Sequence, residues 1–330
     1  MNLPAHPDAG SVATRDAGFR HEALLYAGDE QFVTATARFV REGLGDGEAV
    51  LVAVIEPRAS MLREELASDA AEVEFLDMAE VGRNPARIIP AWQEWVERNT
   101  AAGRAFRGIG EPIWAARTRT EIIECQQHEQ LLNTAFDPGP GWSLLCPYDV
   151  SALPPDVVER AGHTHPTMVT RGTKHASTSY PHPELRFEGL FAAPLPDAGP
   201  ALCEFSFDID DLARLRAAVH QHAPALGLDA RRVPDFVLVV SELATNSICH
   251  GGGKGRLRLW QDGPHAVCEV HDDGLITDPF VGRRRPDPGK RAGGAGLWTA
   301  NQVCDLLLIR STAELGTTIR AYMAAQPAMA

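Results

Sequence analysis

The chain predicts two folds in succession: an α/β domain on a mostly parallel sheet, then an α+β two-layer sandwich. Three observations carry this. Over the first half, short apolar runs alternate with helix-length segments, a βαβα rhythm that implies parallel strands covered on both faces by helices. In the second half strand-like runs follow one another without intervening helices, so their sheet is antiparallel or mixed. Between the halves, from about Gly172 to Pro200, Pro181, Pro183, Pro194, Pro196 and Pro200 stand among isolated Ser and His, which favours an extended, semi-rigid connector. The expected division is a loose tail at 1–18, a first domain at 19–171, the connector at 172–201 and a second domain at 202–330.

Taken in order, EALLYA reads as a strand, and Asp29 is placed to cap the helix that follows and ends near Gly43 and Gly45. EAVLVAVI is a buried-strand run, Pro57 to Ala67 a helix, VEFLDM a strand, and Ala86 to Ala102 a helix stopped by Gly103. RAFRGIG, then Arg117 to Phe136, then WSLLCPYD, then Asp156 to Ala161 continue the alternation. After the connector, CEFSFD is a strand and Ile209 to Ala223 a helix with Leu212, Leu215, Ala218 and Val219 on one side. His220 and His222 read as its solvated end. Asp229 is expected to cap the next helix, Val233 to Cys249. GRLRLW alternates Leu257 and Leu259 against Arg256 and Arg258, as for a strand with one face on helices and one in water.

The most informative stretch is Ser241 to Gly253, SELATNSICHGGG. On a helix Glu242, Asn246 and His250 share one face, while Phe236, Val237, Val240, Leu243 and Ala244 form the apolar side. A carboxylate and a carboxamide one turn apart, just before glycines, suit a metal-bound polyphosphate; the same pattern also suits a surface helix with a polar stripe. Next, His265 to Asp272 alternates as a strand, and the parity that buries Ala266, Cys268 and Val270 buries Asp272, a carboxylate that then needs a partner. Gly293, Gly294, Ala295 and Gly296 open the segment AGLWTANQVCD, where backbone N–H groups can approach phosphate closely. Gly316, Thr317 and Thr318 interrupt the runs LLLIR and TIRAYM.

In the first half, the strand ends carry Glu56, Asp77, Glu111, Tyr148 and Asp149, with Trp114 close behind. Open parallel sheets bind ligands beyond these ends, so the rim is a candidate small-molecule pocket, although strand ends also turn polar simply on meeting water. No GxxxxGK[ST] phosphate loop is present, so this half is not expected to hydrolyse ATP. His163 with His165, and Cys125 with His128, are pairs without the spacing of a four-ligand zinc site. Glu129 falls near the stripe of Ile122, Cys125, Leu132 and Phe136, where a glutamate reaching water from the edge of an apolar face is the commoner outcome.

Composition sets bounds. The 330 residues suffice for two cores, and 31 basic against 44 acidic residues, a net charge of −13, argue against a general nucleic-acid surface. Six cysteines without a CxxC pair read as reduced thiols of a cytoplasmic protein, and no run approaches the ~20 apolar residues of a membrane span. Against that acidic background the loop from Asp273 to Gly293 gathers Arg283, Arg284, Arg285, Lys290 and Arg291, cations able to meet phosphates or an acidic partner, or simply a solvated charge run.

The ordered blocks SELATNSICHG, EVHDDG, GGAGLW and GTT resemble the N, G1, G2 and G3 boxes of the GHKL (Bergerat) ATP-binding fold, specifically the anti-sigma-factor serine/threonine kinases, over about Cys203 to Ala325. The resemblance implies ATP and Mg²⁺ as cofactors. Asn246 would hold Mg²⁺, Glu242 would act as base or orient the acceptor hydroxyl, and Asp272 would accept from the adenine amine. Gly274, Gly294 and Gly296 would frame the nucleotide, with Thr317, His250 and Leu297 beside it, and the basic loop would be the ATP lid. Ile276 stands where a second G1 glycine is common, which leaves the lid geometry open.

The phrases REGLGDGEAVLV, NPARII, IGEPIW, EQLLNTAF and CPYD resemble the MEDS sensory domain from about His21 to about Tyr180. That implies a RecA-like fold and an unidentified small-molecule ligand. The two resemblances together imply an anti-sigma regulatory protein: a serine/threonine kinase acting on a STAS-domain anti-sigma-factor antagonist, with a sigma factor as a further partner, and with no nucleic acid or membrane bound directly. Two alternatives are a sensor histidine kinase and a non-catalytic nucleotide-dependent binding module. Monomer and homodimer are both open.

Overall fold

The computed structural model describes residues 18–182, 187, 189–286 and 295–325. In chain order the first domain runs β1 (Arg20–Tyr26), α1 (Gly28–Gly45), β2 (Ala49–Val54), α2 (Arg58–Leu66), β3 (Val73–Asp77), α3 (Met78–Val81), α4 (Ile88–Ala101), β4 (Phe106–Gly110), α5 (Arg119–Ala135), β5 (Ser143–Asp149), α6 (Pro155–Thr164), β6 (Thr167–Thr170) and β7 (Thr173–Ala176). Among the described residues its strands lie in the order β3-β2-β4-β5-β1-β6-β7, parallel throughout except for β6 with β7.

Period-two alternation splits the core between the two faces of this sheet. Leu51, Ala53, Leu144 and Cys146 face Trp92, Trp95 and Leu131, whereas Val50, Val52, Val54 and Leu145 face Phe32, Val40, Leu62 and Leu66. With both faces covered, β2 is buried at every position, which is why EAVLVAVI carries no polar alternation. On the first face Trp142 packs on Trp92, Phe106 and Phe136 with ring centroids 5.1–5.8 Å apart, each pair adding about 0.5–1.5 kcal/mol beyond its burial.

The second domain runs β8 (Cys203–Phe207), α7 (Leu212–His222), α8 (Val233–His250), β9 (Gly255–Asp262), β10 (His265–Asp272), α9 (Ala295–Val303), β11 (Leu306–Thr312) and β12 (Gly316–Ala324). Its strands, ordered β11-β12-β10-β9-β8, are antiparallel throughout. Phe236, Val240 and Leu243 of α8 pack on Leu257, Leu259, Cys268 and Val270, completing the two layers.

Several local expectations are corrected. Asp29 lies inside the first turn of α1, whose N-cap is Ala27 without a side-chain bond. Asp229 does not cap α8, which starts after Arg232; its carboxylate instead accepts from the Arg231 backbone at 2.9 Å, closing a turn one step earlier. Thr173–Ala176, placed in the connector by composition, is an antiparallel edge strand, because the turn at Arg171 and Gly172 returns the chain onto β6. The back of the second sheet is open to water only in part: Arg256 is exposed on β9, but Trp260, Val267, Leu306, Leu308 and Tyr322 are buried there with Leu195 of the connector packed against them. Pro183, the 1–17 part of the tail, and 326–330 lie outside the described residues.

The two domains join through buried polar contacts. Glu124 of α5, about 1% exposed, accepts from Arg310 Nη1 of β11 at 3.0 Å and lies 3.6 Å from Arg283 Nη2. Arg87, just before α4, donates to the carbonyls of Asn301 and Cys304 at 2.8 and 2.6 Å, satisfying the C-terminal end of α9. Asn84 adds bonds of 3.1 and 3.0 Å to Asn301. Phe280 of the second domain is buried within the aromatic core of the first.

Glu124→Ala leaves Arg283 and Arg310 buried without their shared carboxylate, and the expected cost is about 3–5 kcal/mol. Urea unfolding followed by tryptophan fluorescence checks it, with Glu65→Ala, which breaks an exposed pair with Arg41, leaving the midpoint unchanged.

Candidate functional site

Helix α8 turns Glu242, Asn246 and His250 to one side, as the four-residue spacing requires. His250 is exposed and lines the mouth of a cleft of ≈ 580 Å³ with Asn246, Asp272, Gly274, Leu297 and Thr317 on its walls. That volume falls within the roughly 300–1,000 Å³ of small-molecule sites. Glu242 sits beside Asn246 where α9 begins: a methyl at Gly296 would lie 2.7 Å from Glu242 Oε2 and 3.1 Å from both ends of the Asn246 amide. Gly294, with Gly293, Lys290 and Arg291, lies outside the described residues.

Asp272 is buried on the floor, on the same face as Ala266, Cys268 and Val270. Its carboxylate accepts from Ser247 Oγ at 2.5 Å and from Gly274 N–H at 2.9 Å, which meets the requirement that a buried acid be partnered. Each oxygen keeps a second lone pair for a ligand donor. Gly251 is required there, since a methyl would collide with the Asp272 carboxylate. Thr317 Oγ1 donates to Gly274 O at 2.8 Å and lies 2.7 Å from Ser311 Oγ, which accepts from Ile276 N–H at 2.9 Å. Ile276 therefore sits in a loop pinned to the β11–β12 hairpin, and among the described residues only Ala67 and Arg171 are non-glycine positions with positive φ, so the isoleucine carries no backbone strain.

The basic loop is divided by its partners. Arg284 and Arg285 line the cleft, with Arg284 stacked 4.0 Å over the Phe280 ring and Arg285 3.3 Å from Glu94 of the first domain. Arg283 is buried against Glu124, so one acidic partner of this loop belongs to the chain itself. Asn301 of α9 donates to Gly282 O at 3.0 Å and fixes the loop's base.

The rim of the first sheet does not converge on one cavity. Glu111 and Asp149 are drawn together by Arg58, whose Nη1 pairs with Glu111 and whose Nη2 lies 3.0 Å from Asp149. Burial pushes the Glu111 carboxyl up to about 7, with Arg58 pulling the other way. Glu56 instead binds Ser60 and Arg63, Asp77 caps α3 through Ala79 N–H, Tyr148 is buried in the core, and Trp114 lies 3.8 Å beneath Arg117. Two of these acids, Glu56 and Asp77, satisfy local helix starts, the usual fate of polar strand termini.

The histidine and cysteine pairs suggested by spacing also separate. Cys125 donates to Pro112 O at 3.2 Å, His128 is buried and pushed down to about 3 by that burial, and His163 is exposed while His165 is buried. Glu129 does not reach water; it is fully buried beside His21, Cys146 and His165. His21 and Cys146 carried a readable signal, since strand parity puts them on the apolar face with Ala23, Leu144 and Tyr148, but nothing local pairs residues 125 positions apart.

The cleft suits Mg²⁺ and ATP by its donors: Asn246 offers a hard carboxamide oxygen, the other end of that amide is buried with no protein partner, and the glycine at 296 lets the start of α9 approach Glu242 and Asn246 more closely than a side chain would allow. Among the described residues no helix is long and apolar enough to cross a membrane. Residues 20–166 match the family model MEDS, the MEthanogen/methylotroph, DcmR Sensory domain, and residues 205–323 match that of the Histidine kinase-like ATPase domain. A search of curated proteins found no match. The chain thus carries a MEDS sensory domain followed by a histidine kinase-like, ATP-binding domain, the make-up of a signalling regulator.

Proposed function

We propose that this chain is a cytoplasmic serine/threonine protein kinase acting on a STAS-domain anti-sigma-factor antagonist, controlled by a small molecule at its first domain, with a sigma factor as a second partner. The observation that carries the reading is the meeting of Glu242 and Asn246 at Gly296, beside a cleft floored by buried Asp272. A separate hydroxyl acceptor is favoured over an internal histidine because, among the described residues, β8 and the single helix α7 lead directly into α8. No two-helix phosphoacceptor hairpin stands between them in that span.

In this mechanism Asp272 accepts from the adenine amine while Ser247 and Gly274 hold it in place. Glu242 takes the proton of the acceptor hydroxyl as its oxygen bonds the γ-phosphorus and the bond to the β-bridging oxygen breaks, releasing ADP. Asn246 would hold Mg²⁺, which neutralises phosphate charge, and Arg284 and Arg285 line the cleft from the lid side. Incubation with labelled ATP and candidate STAS proteins tests the reading. Acid-stable label on serine or threonine of the STAS protein is expected, lost in Asn246→Ala and reduced about 10²–10⁴-fold in Glu242→Ala. Acid-labile label on this chain, or nucleotide binding without transfer, would replace the reading with one of its two alternatives.

Control from the first domain has a physical route through the lid. Phe280 is buried with the first domain's core and itself lines the cleft beside Val281, Gly282 and Arg284, so docking pre-orders this wall before nucleotide arrives. Phe280→Ala in the full chain is expected to weaken ATP-analogue binding about 3- to 10-fold by calorimetry, since the freed segment must then be ordered on binding. Unchanged affinity would show that the lid is independent of the sensory domain.

A further inference from the structure

His21 of β1, Cys146 of β5, Glu129 of α5 and His165 at the end of α6 are buried with their ligand atoms all within 4.8 Å of one another. Glu129 Oε2 lies 2.9 Å from His21 Nε2 and 3.2 Å from His165 Nε2, and Cys146 Sγ is 3.3 Å from His21 Nε2. Several polar atoms of this cluster lack a well-oriented hydrogen-bond partner. His165 Nδ1 lies 2.9 Å from both Ala161 O, which can only accept, and the Thr164 hydroxyl; with the hydrogen on Nδ1, donated to Ala161 O, Nε2 presents a lone pair to the cluster. That lone pair faces a carboxylate oxygen, another acceptor, and His165 Nε2 and both Glu129 oxygens have no properly oriented hydrogen-bond partner. In that tautomer two buried acceptors lie 3.2 Å apart, an arrangement that either a proton on His165 or a metal ion between them satisfies, and the thiol of Cys146 and the second imidazole of His21 beside them are what a metal would use.

We infer that His21, Glu129, Cys146 and His165 form a closed four-ligand site for a zinc-class divalent transition-metal ion. Two imidazoles, a carboxylate and a thiolate make a borderline-soft set, unlike the all-oxygen shells of Mg²⁺ and Ca²⁺. Metal bonds of about 2.0–2.3 Å give a tetrahedron with edges of roughly 3.3–3.7 Å, so the pairs now 2.9–3.3 Å apart must open slightly and the widest, up to 4.8 Å, must close by about 1 Å. Binding displaces the thiol proton of Cys146, and the 2+ charge then balances thiolate and carboxylate, leaving no net charge buried. The bond from His165 Nδ1 to Ala161 O supplies the outer contact that fixes the imidazole for ligation. Ion binding would tie together β1, β5, α5 and the α6–β6 turn, segments that no sequence motif links.

The test uses the full chain, stripped with chelator, reloaded with Zn²⁺ or Co²⁺ and passed through gel filtration. Expected are one equivalent of metal by mass spectrometry, a raised Tm, and a thiolate-to-cobalt charge-transfer band in the near ultraviolet. Cys146→Ser should lose the band and, like His165→Gln, bind at least 10-fold more weakly, whereas Cys268→Ser, altered in the core of the other domain, should match the wild type. Wild-type protein that retains no metal, or a cobalt band that survives in Cys146→Ser, overturns the assignment; because the wild-type spectrum decides on its own, a variant that fails to fold leaves the test intact.

Discussion

The burial of Glu124 between Arg283 and Arg310 is the constraint on which the arrangement of the two domains depends. A carboxylate removed from water is tolerated only with cationic partners, and both of these partners come from the other domain. Burial raises the carboxyl's pKa and the two guanidiniums oppose it, so separation of the domains would expose three charges that are mutually satisfied only when docked. Hydrophobic contact alone would allow sliding. The ion pairs, with Arg87 on the end of α9 and Asn84 on Asn301, fix one register.

Helix α5 is where these demands gather. Its capping box, Thr118 with Glu121, anchors the start, and its interior buries Glu124 toward the second domain, Gln127 on the connector's Leu190 carbonyl and Glu129 among the histidines. A helix buried on several sides by protein rather than water can carry polar residues at such positions where protein groups replace solvent, as Arg310 does for Glu124 and the Leu190 carbonyl for Gln127. The connector takes part in the same packing: Leu190 belongs to the first core, and the Phe191 carbonyl accepts from Ser311 N–H of β11 at 3.1 Å. Movement of α5 along its axis would disturb the lid base and the connector together.

What was legible in the sequence was local and periodic. The helical spacing of Glu242, Asn246 and His250, and the strand parity that carried Asp272 inward with Cys268 and Val270, need only the geometry of one element, and the βα rhythm with its parallel sheet is a sum of such elements. The helix starts at Asp29 and Asp229 were misplaced because an aspartate near a helix start can serve an adjacent turn as readily as the cap. The rim residues divide: Glu56 and Asp77 satisfy their own helix starts while Glu111 and Asp149 meet at Arg58, a division that composition cannot show. Nothing local marked Ser247 as the holder of Asp272, or Phe280 as a residue of the other domain's core. Those roles depend on which surfaces meet: Ser247 and Asp272 are 25 residues apart on different elements, and Phe280 packs in a core made mostly of residues more than a hundred positions away.

The position of Phe280 also constrains how a signal could travel. A residue in a close-packed core has few alternative positions, because aromatic packing there leaves no space for gradual displacement. The lid segment beginning at Phe280 therefore has discrete options, docked or released, and any ligand or ion that binds one of these states better must shift the balance between them. The reciprocal follows from linkage: nucleotide that favours the docked lid must favour the matching state of the first domain by the same free energy. Under the proposed control, coupling would be a property of the docked interface, with Glu124, Arg283 and Phe280 as its contacts, and would need no path of altered side chains running between the two sites.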